Sequence, residues 1–322
     1  MGGDKQILDP ESAGHKRHRI HHSSRALDGP PEPGTGKVYD LALLPLFREM
    51  PMSPELDRLC KLLRSVAATE IMPRFHHVAT RSKPDGSLVT EADLAAQQRV
   101  CEELGKIWPD IPVLGEEMSQ QVQQRLLDDA DLGVWCLDPL DGTSNYAYGF
   151  PYFCVTLALL RGGEPVLACT FDPIHDECFC AERGAGAYCD GRPLRLDSGR
   201  TDLRECLAIV DLKRLPEDDL PSLGGQAPFR SQRNLGSVAL DWCWLAAGRI
   251  QLYLHGGQKL WDYSAGRLIA TEAGASSHLF AWGEGAPAED LSLDPRMAIA
   301  AENEALFERL LEWWSGLPHR GR

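Results

Sequence analysis

The chain has 322 residues, with 33 Lys plus Arg against 47 Asp plus Glu for a formal charge of -14. That is about twice a usual single-domain length, enough to bury a large core or two joined halves without disulfides or structural metals. The 43% hydrophobic and 25% charged residues exclude a collagenous, low-complexity or mainly disordered chain; the negative field disfavours nucleic acid and anionic lipid, and no apolar run approaches the roughly 20 residues of a membrane span.

Residues 1–40 read as a flexible tail, in which Gly, Pro and Ser surround the basic run His15-Lys16-Arg17-His18-Arg19-Ile20-His21-His22 with too little apolar surface to repay ordering. Gly34-Thr35-Gly36-Lys37 fails as a phosphate loop, because Pro31 stands where the first glycine belongs and Val38 follows the lysine. Residues 41–200 then read as an α+β half and 201–318 as an α/β half.

Ser53-Pro54 caps and starts a helix of about six turns, with Leu56, Leu59, Leu62, Leu63, Val66 and Ala67 at helical spacing. After the turn-rich Lys83-Pro84-Asp85-Gly86-Ser87, the capping-box pattern Thr90-Glu91-Ala92-Asp93 opens a second helix, expected to turn Leu94, Val100 and Leu104 inward. Val134-Trp135-Cys136-Leu137 is a buried strand ending at Asp138, followed by strands at 153–160, 165–171 and 177–181. Beyond the strand at 207–210, helices (237–247, 262–273, 304–314) alternate with strands (250–254, 297–301), the order of an α/β arrangement.

The ten cysteines are scattered, apart from Cys178 and Cys180, and no secretory leader precedes them. They read as reduced, mostly buried thiols of a cytoplasmic protein. A zinc site at Cys178 and Cys180 with nearby His175 fits no common zinc spacing, and alternation along a strand accounts for the pair.

Three acidic clusters stand where the chain turns: Gly115-Glu116-Glu117, Asp138-Pro139-Leu140-Asp141-Gly142-Thr143 and Trp261-Asp262. Loops positioned by a rigid sheet let such groups converge. In the middle cluster two carboxylates three residues apart and the Leu140 carbonyl suit a hard cation such as Mg²⁺, and Gly142 allows close backbone approach so that N–H groups can hold an anion. Each element alone has a plainer reading: a tight turn for 138–142, a helix cap for Asp262 and for Thr90 with Asp93, a solvated pair for Glu116 and Glu117.

Together and in this order they resemble the inositol monophosphatase family of metal-dependent phosphatases. The resemblance runs from about Lys83 to Ala275 through Val-Thr-Glu-Ala-Asp (89–93), Gly-Glu-Glu (115–117), Trp-Cys-Leu-Asp-Pro-Leu-Asp-Gly-Thr-Ser-Asn-Tyr (135–146), Gly-Ala-Gly-Ala-Tyr-Cys-Asp-Gly (184–191), Gly-Ser-Val-Ala-Leu (236–240), Trp-Asp-Tyr-Ser-Ala-Gly (261–266) and Glu-Ala-Gly (272–274). It implies a layered αβαβα sandwich, a homodimer, sensitivity to lithium and two or three Mg²⁺ ions. It assigns the first ion to Glu116, Asp138 and the Leu140 carbonyl, the second to Asp138, Asp141 and Asp262, and a third to the neighbourhood of Glu116 with Asp93 further out. Gly142 and Thr143 amides would hold phosphate, and Glu116, Thr143 and Asp93 would steer water and its proton. Substrate contacts fall to Asp141, Val238, His255 and Asp262.

Charge arithmetic supports this separately. Glu116, Asp138, Asp141 and Asp262 bring -4 to one place, which repels a phosphate dianion until cations arrive. The expected activity is hydrolysis of a small phosphorylated polyol or sugar, inositol monophosphate first, with histidinol phosphate and fructose 1,6-bisphosphate as enzymatic alternatives and a non-catalytic phosphate-binding regulator as the alternative of another class. Family members specific for inositol usually carry a carboxylate where His255 stands, seven residues before Asp262; that ring either shifts substrate choice or ends the 250–254 strand at the surface. Asn145-Tyr146 resembles the monophosphatases rather than the bisphosphate nucleotidases, and Lys83 stands where a lysine often precedes the Thr-Glu-Ala-Asp element.

Overall fold

The computed structural model describes residues 52–75, 80–83, 88–129, 132–215, 220–225, 227–281, 286–288 and 290–317. The proposed tail, its basic run and the turn at 84–87 lie outside them. Ser53 accepts the Leu56 N–H and Pro54 starts α1 (Pro54–Val66), whose buried stripe is Leu56, Leu59, Leu62, Leu63 and Val66. The helix continues through one wide turn, Ala67–Ile71, and one tight turn, Met72–Arg74, so it has the expected length but not a regular end. Pro73 removes a backbone donor there, and the Arg74 guanidinium takes over the Glu70 carbonyl at 2.6 Å.

The short hairpin of β1 (Thr80–Ser82) and β2 (Leu88–Thr90) leads into α2 (Glu91–Ile107) through the expected capping box. Ala92, Ala96, Val100 and Leu104 form its buried face. Leu94, expected inside, is 50% exposed, because the four-residue rhythm from Ala92 to Leu104 points it the other way. Next come β3 (Val113–Gly115), α3 (Gln120–Asp128), β4 (Val134–Asp141), α4 (Thr143–Ala147) and the meander of β5 (Cys154–Arg161), β6 (Glu164–Asp172), β7 (Glu177–Glu182), β8 (Gly186–Cys189) and β9 (Arg192–Leu194). The remainder is β10 (Leu207–Asp211), α5 (Leu220–Gly225), β11 (Ser231–Arg233), α6 (Val238–Ala246), β12 (Leu252–Gln258), α7 (Leu260–Ala273), β13 (Ser276–Ala281), β14 (Arg296–Ala301) and α8 (Glu304–Ser315). None of the described helices is long and apolar enough to cross a membrane.

Strand alternation generates the layers. In the seven-stranded sheet, ordered from β3 through β9 in sequence, Trp135 and Leu137 face α1 and α2, while Val134 and Cys136 face α6 and α7. In the five-stranded sheet, ordered β11-β10-β12-β14-β13, Ile209 and Tyr253 face α6 and α7, while Val210 and Leu254 face α8. The order of layers is therefore α1/α2, large sheet, α6/α7, small sheet, α8: the αβαβα sandwich. Helix α6 is nearly all apolar and α7 buries nine of its 14 residues, as helices covered on two sides require.

Two expected boundaries move. The 250–254 strand extends to Gln258 as β12, so His255 lies within it, only 3% exposed, and not at a surface end. Helix α7 starts at Leu260 with Lys259 as its cap, so Asp262 sits in the first turn.

The central helices approach closely at Gly266, where an added Cβ would lie 2.6 Å from Trp242 Cβ and 3.1 Å from the Ala239 carbonyl. Alanine gains about 1 kcal/mol of helix propensity, but overpacking of a filled core costs roughly 1–3 kcal/mol. Gly266→Ala is expected to lower stability in urea denaturation; an equal or higher midpoint would show that the two helices can separate without loss.

Candidate active site

The site begins where β4 runs out. A register irregularity between Asp138 and Asp141 lets two carboxylates leave the ladder, and the Leu140 N–H donates to Asp138 Oδ1 at 2.9 Å. Gly142 follows with φ +89° and nearly touches the segment leading into β5: a Cβ would lie 3.0 Å from the Tyr152 carbonyl. Only glycine satisfies both the dihedral and the contact. The chain then turns directly into α4, presenting Thr143.

Strand β3 pairs in parallel with β4, Gly115 opposite Leu137, and the Glu116 N–H donates to the Leu137 carbonyl at 3.1 Å. Glu116 is thus carried to the same sheet end as Asp138. From the middle layer, Asp262 arrives in the first turn of α7, fixed by the Lys259 N–H at 2.8 Å. Asp141 is fixed by the start of α6: Ser237 Oγ donates to its Oδ2 at 2.5 Å and the Ala239 N–H at 2.8 Å. Oxygens of Asp138, Asp141 and Asp262 all lie within 4.8 Å of one another.

Burial first, then repulsion from Glu116, Asp141 and Asp262, pushes the Asp138 carboxyl well above its ordinary range. Burial likewise pushes Asp141 up to about 6, against the pull of its Ser237 and Ala239 donors, and burial with the Asp141 and Glu116 charges raises Asp262. Among the described residues none of the three forms an ion pair. Three packed carboxylates without an ion-pair partner are a donor set for a cation, and an all-oxygen set suits Mg²⁺. The Leu140 carbonyl accepts from Thr143 Oγ1 at 2.9 Å.

The capping box doubles as part of the site. Asp93 is fully buried; its Oδ2 accepts from the Thr90 N–H at 2.8 Å and Thr90 Oγ1 at 2.5 Å, while Oδ1 stands 3.2 Å from Thr143 Oγ1. Burial raises its pKa despite the Thr90 donors. A line of exchangeable protons therefore links Thr90, Asp93 and Thr143.

Lys83 donates to Glu116 Oε1 and Glu117 Oε1, both at 2.7 Å. The two glutamates are therefore not a solvated surface pair. Burial works against the Lys83 charge, but the paired carboxylates outweigh it and raise the pKa. An open cleft lined by Lys83, Glu116, Gln123, Lys259 and Trp261 adjoins Glu116.

His255 is engaged on both nitrogens. Its Nδ1 accepts the Gly257 N–H at 3.2 Å, so Nε2 carries the proton and faces Asp211 Oδ2 at 3.2 Å. Burial lowers its pKa, favouring the neutral ring. With both ring nitrogens directed at protein groups, its direct role toward a substrate is weakened; Asp211, at the end of β10, is the more accessible of the two. Val238, Glu116, Asp138, Asp141, Gly142, Thr143 and Asp262 all come to one end of β4 or to the helix starts beside it. Sequence reasoning missed Ser237 as the anchor of Asp141. The signal was present in Gly236-Ser237, since a serine before an apolar run marks a helix start, but only the fold gives that hydroxyl its acceptor.

The inositol monophosphatase family profile matches residues 53–313. Nus factor SuhB of Xylella fastidiosa is 35% identical over 230 residues, covering 66% of this chain and 74% of that protein, and inositol monophosphatase 1 of Solanum lycopersicum is 36% identical over 210 residues, covering 62% and 75%. Among solved structures, the IMPase of Thermotoga maritima superposes with a TM-score of 0.67 at 28% identity over 80% of this chain and 95% of that one. The chain belongs to the inositol monophosphatase family.

Proposed function

We propose that the protein is a Mg²⁺-dependent phosphomonoesterase acting on a small polyol or sugar phosphate, with inositol monophosphate the first candidate. The observation that carries this reading is the convergence of Asp138, Asp141 and Asp262 within 4.8 Å, beside Glu116 and a Gly-Thr turn. Glu116, Asp138, the Leu140 carbonyl, Asp141 and Asp262 would hold two ions, with room for a third near Glu116. Bound there, Mg²⁺ supplies the charge neutralisation and Lewis acidity that phosphate ester hydrolysis requires.

The chain's own groups do the rest. The Gly142 and Thr143 amides face the phosphate position. Thr143, tied to the Leu140 carbonyl and Asp93, orients the attacking water, and Glu116 receives its proton. Lys83 keeps Glu116 in place and reduces the repulsion between the two glutamates. Histidinol phosphate and fructose 1,6-bisphosphate are the competing substrates, since His255 replaces the carboxylate expected toward inositol hydroxyls. A non-catalytic regulator is disfavoured, because a protein that never bound cations would be more stable without this repelling set. Lithium inhibition and a homodimer accompany the reading.

Phosphate release from inositol 1-phosphate, histidinol phosphate and fructose 1,6-bisphosphate, with and without Mg²⁺, tests it. Activity is expected with at least one ester, only with Mg²⁺, and Asp138→Asn should lose more than the roughly 10–100-fold that removing an outer-shell partner costs. No release from any ester would favour the regulator.

The raised carboxyl pKa values give a second prediction. A group whose folded pKa exceeds its unfolded value stabilises the fold fully below the unfolded pKa and loses that contribution as pH rises through the folded one. For Asp141, moved up to about 6 from an unfolded value of about 3.9, the loss is on the order of 3 kcal/mol. In chelator, thermal stability should fall between about pH 4 and 6; saturating Mg²⁺ should remove the decline by replacing protons. A midpoint in chelator that does not fall over this range, or that Mg²⁺ leaves unmoved, counts against the cluster being a cation site.

Lys83→Met, which leaves Glu116 and Glu117 unpaired, should raise the Mg²⁺ concentration needed for half-maximal activity while leaving the fold intact by circular dichroism. A half-saturating concentration equal to that of the unsubstituted protein would remove Lys83 from the site.

A further inference from the structure

The face of the large sheet turned toward α1 carries a second collection of ligand atoms, all sulfur. Cys169 on β6 lies directly opposite Cys180 on β7, and Cys178 is two residues from Cys180, so alternation sends all three side chains to one face. Helix α1 lays Cys60 over them. Cys169 Sγ is 3.6 Å from Cys178 Sγ and 3.8 Å from Cys60 Sγ, and these three sulfurs all lie within 4.8 Å of one another. Cys180 projects to the same face but is not one of these three; its thiol is 3.4 Å from Met52 Sδ. All are free thiols. His175, the ligand first considered with Cys178 and Cys180, turns away: its Nδ1 meets Asp172 Oδ2 at 2.7 Å and its ring packs against Trp244 of α6.

We propose that Cys60, Cys169 and Cys178 form the core of a zinc site, with Cys180 turning its side chain from Met52 to supply the fourth thiolate, separate from the carboxylate cluster and on the opposite face of the large sheet from α7. Four thiolates at about 2.3 Å from a tetrahedral ion stand about 3.8 Å apart, and the Cys169–Cys178 and Cys169–Cys60 separations are close to that edge. The donors come from three elements already locked by sheet pairing and helix packing, so the backbone stays in place and only the Cys180 side chain has to turn. An all-sulfur set selects a thiophilic ion over Mg²⁺, which keeps the two sites chemically distinct. Cys60 and Met52 are partly exposed, leaving a way in beside α1. The thiols release their protons to solvent as the ion enters; no electron is transferred.

The test uses the full chain carrying Asp138→Asn, reduced and stripped with chelator, so that the carboxylates do not compete. Titration with Co²⁺ should produce a thiolate-to-cobalt charge-transfer band saturating at one equivalent, and Zn²⁺ should abolish it. Cys60→Ser should weaken Zn²⁺ binding at least tenfold, and Cys60→Ser with Cys180→Ser should remove the band and the Zn²⁺-dependent rise in thermal midpoint. The cobalt titration needs no cysteine variant to fold. Absence of the charge-transfer band, or a band unchanged in Cys60→Ser, would overturn the proposal and leave the four thiols as packing.

Discussion

Mutual repulsion among Asp138, Asp141 and Asp262 is the constraint around which the molecule is organised. Like charges this close, away from water, oppose folding, and the chain meets the opposition with fixed donors. The first turns of α6 and α7 supply backbone N–H groups to Asp141 and Asp262, where the helix dipoles are positive. Ser237 adds a hydroxyl. These donors lower the pKa values of Asp141 and Asp262 without cancelling the effect of burial, and the remainder is the electrostatic space a divalent ion would fill.

The layered fold follows the same logic. Helices α6 and α7 fill the middle layer, and both start at the site. Their close contact at Gly266 and Trp242 couples the position of Asp262 to that of Asp141. The large sheet supplies the remaining carboxylates from adjacent parallel strands, Glu116 after β3 and Asp138 from β4. Asp138, Asp141 and Asp262 come from elements packed on both faces, β4 between α1/α2 and α6/α7 and α7 between the two sheets.

The same sheet, read on its other face, shows how alternation produces a second chemistry without any added machinery. Residues two apart on β7 and opposite on β6 place three thiols together, and one helix turn above them adds the fourth. Hard oxygen donors at the end of β4 and soft sulfur donors under α1 are segregated by the thickness of one sheet.

The acidic motifs were legible in the sequence because their residue types already carry the chemistry: Asp-Pro-Leu-Asp-Gly-Thr turns, Thr-Glu-Ala-Asp caps and Trp-Asp marks a helix start, although the helix begins one residue earlier, at Leu260. The central strands and helices were legible because their apolar runs are long and bounded by turn residues. Leu94 was misjudged since the inward face of α2 runs through Ala92, Ala96, Val100 and Leu104, and Leu94 lies off that stripe. His255 looked like a strand end since Gly256 and Gly257 follow it, yet pairing with β14 continues the strand to Gln258. The identities of the ligands were thus local information. Which hydroxyl holds Asp141, which carboxylates Lys83 neutralises, and which cysteines meet are contacts between residues dozens to more than a hundred positions apart, fixed by strand register and helix packing, and one sequence leaves those long-range pairings undetermined.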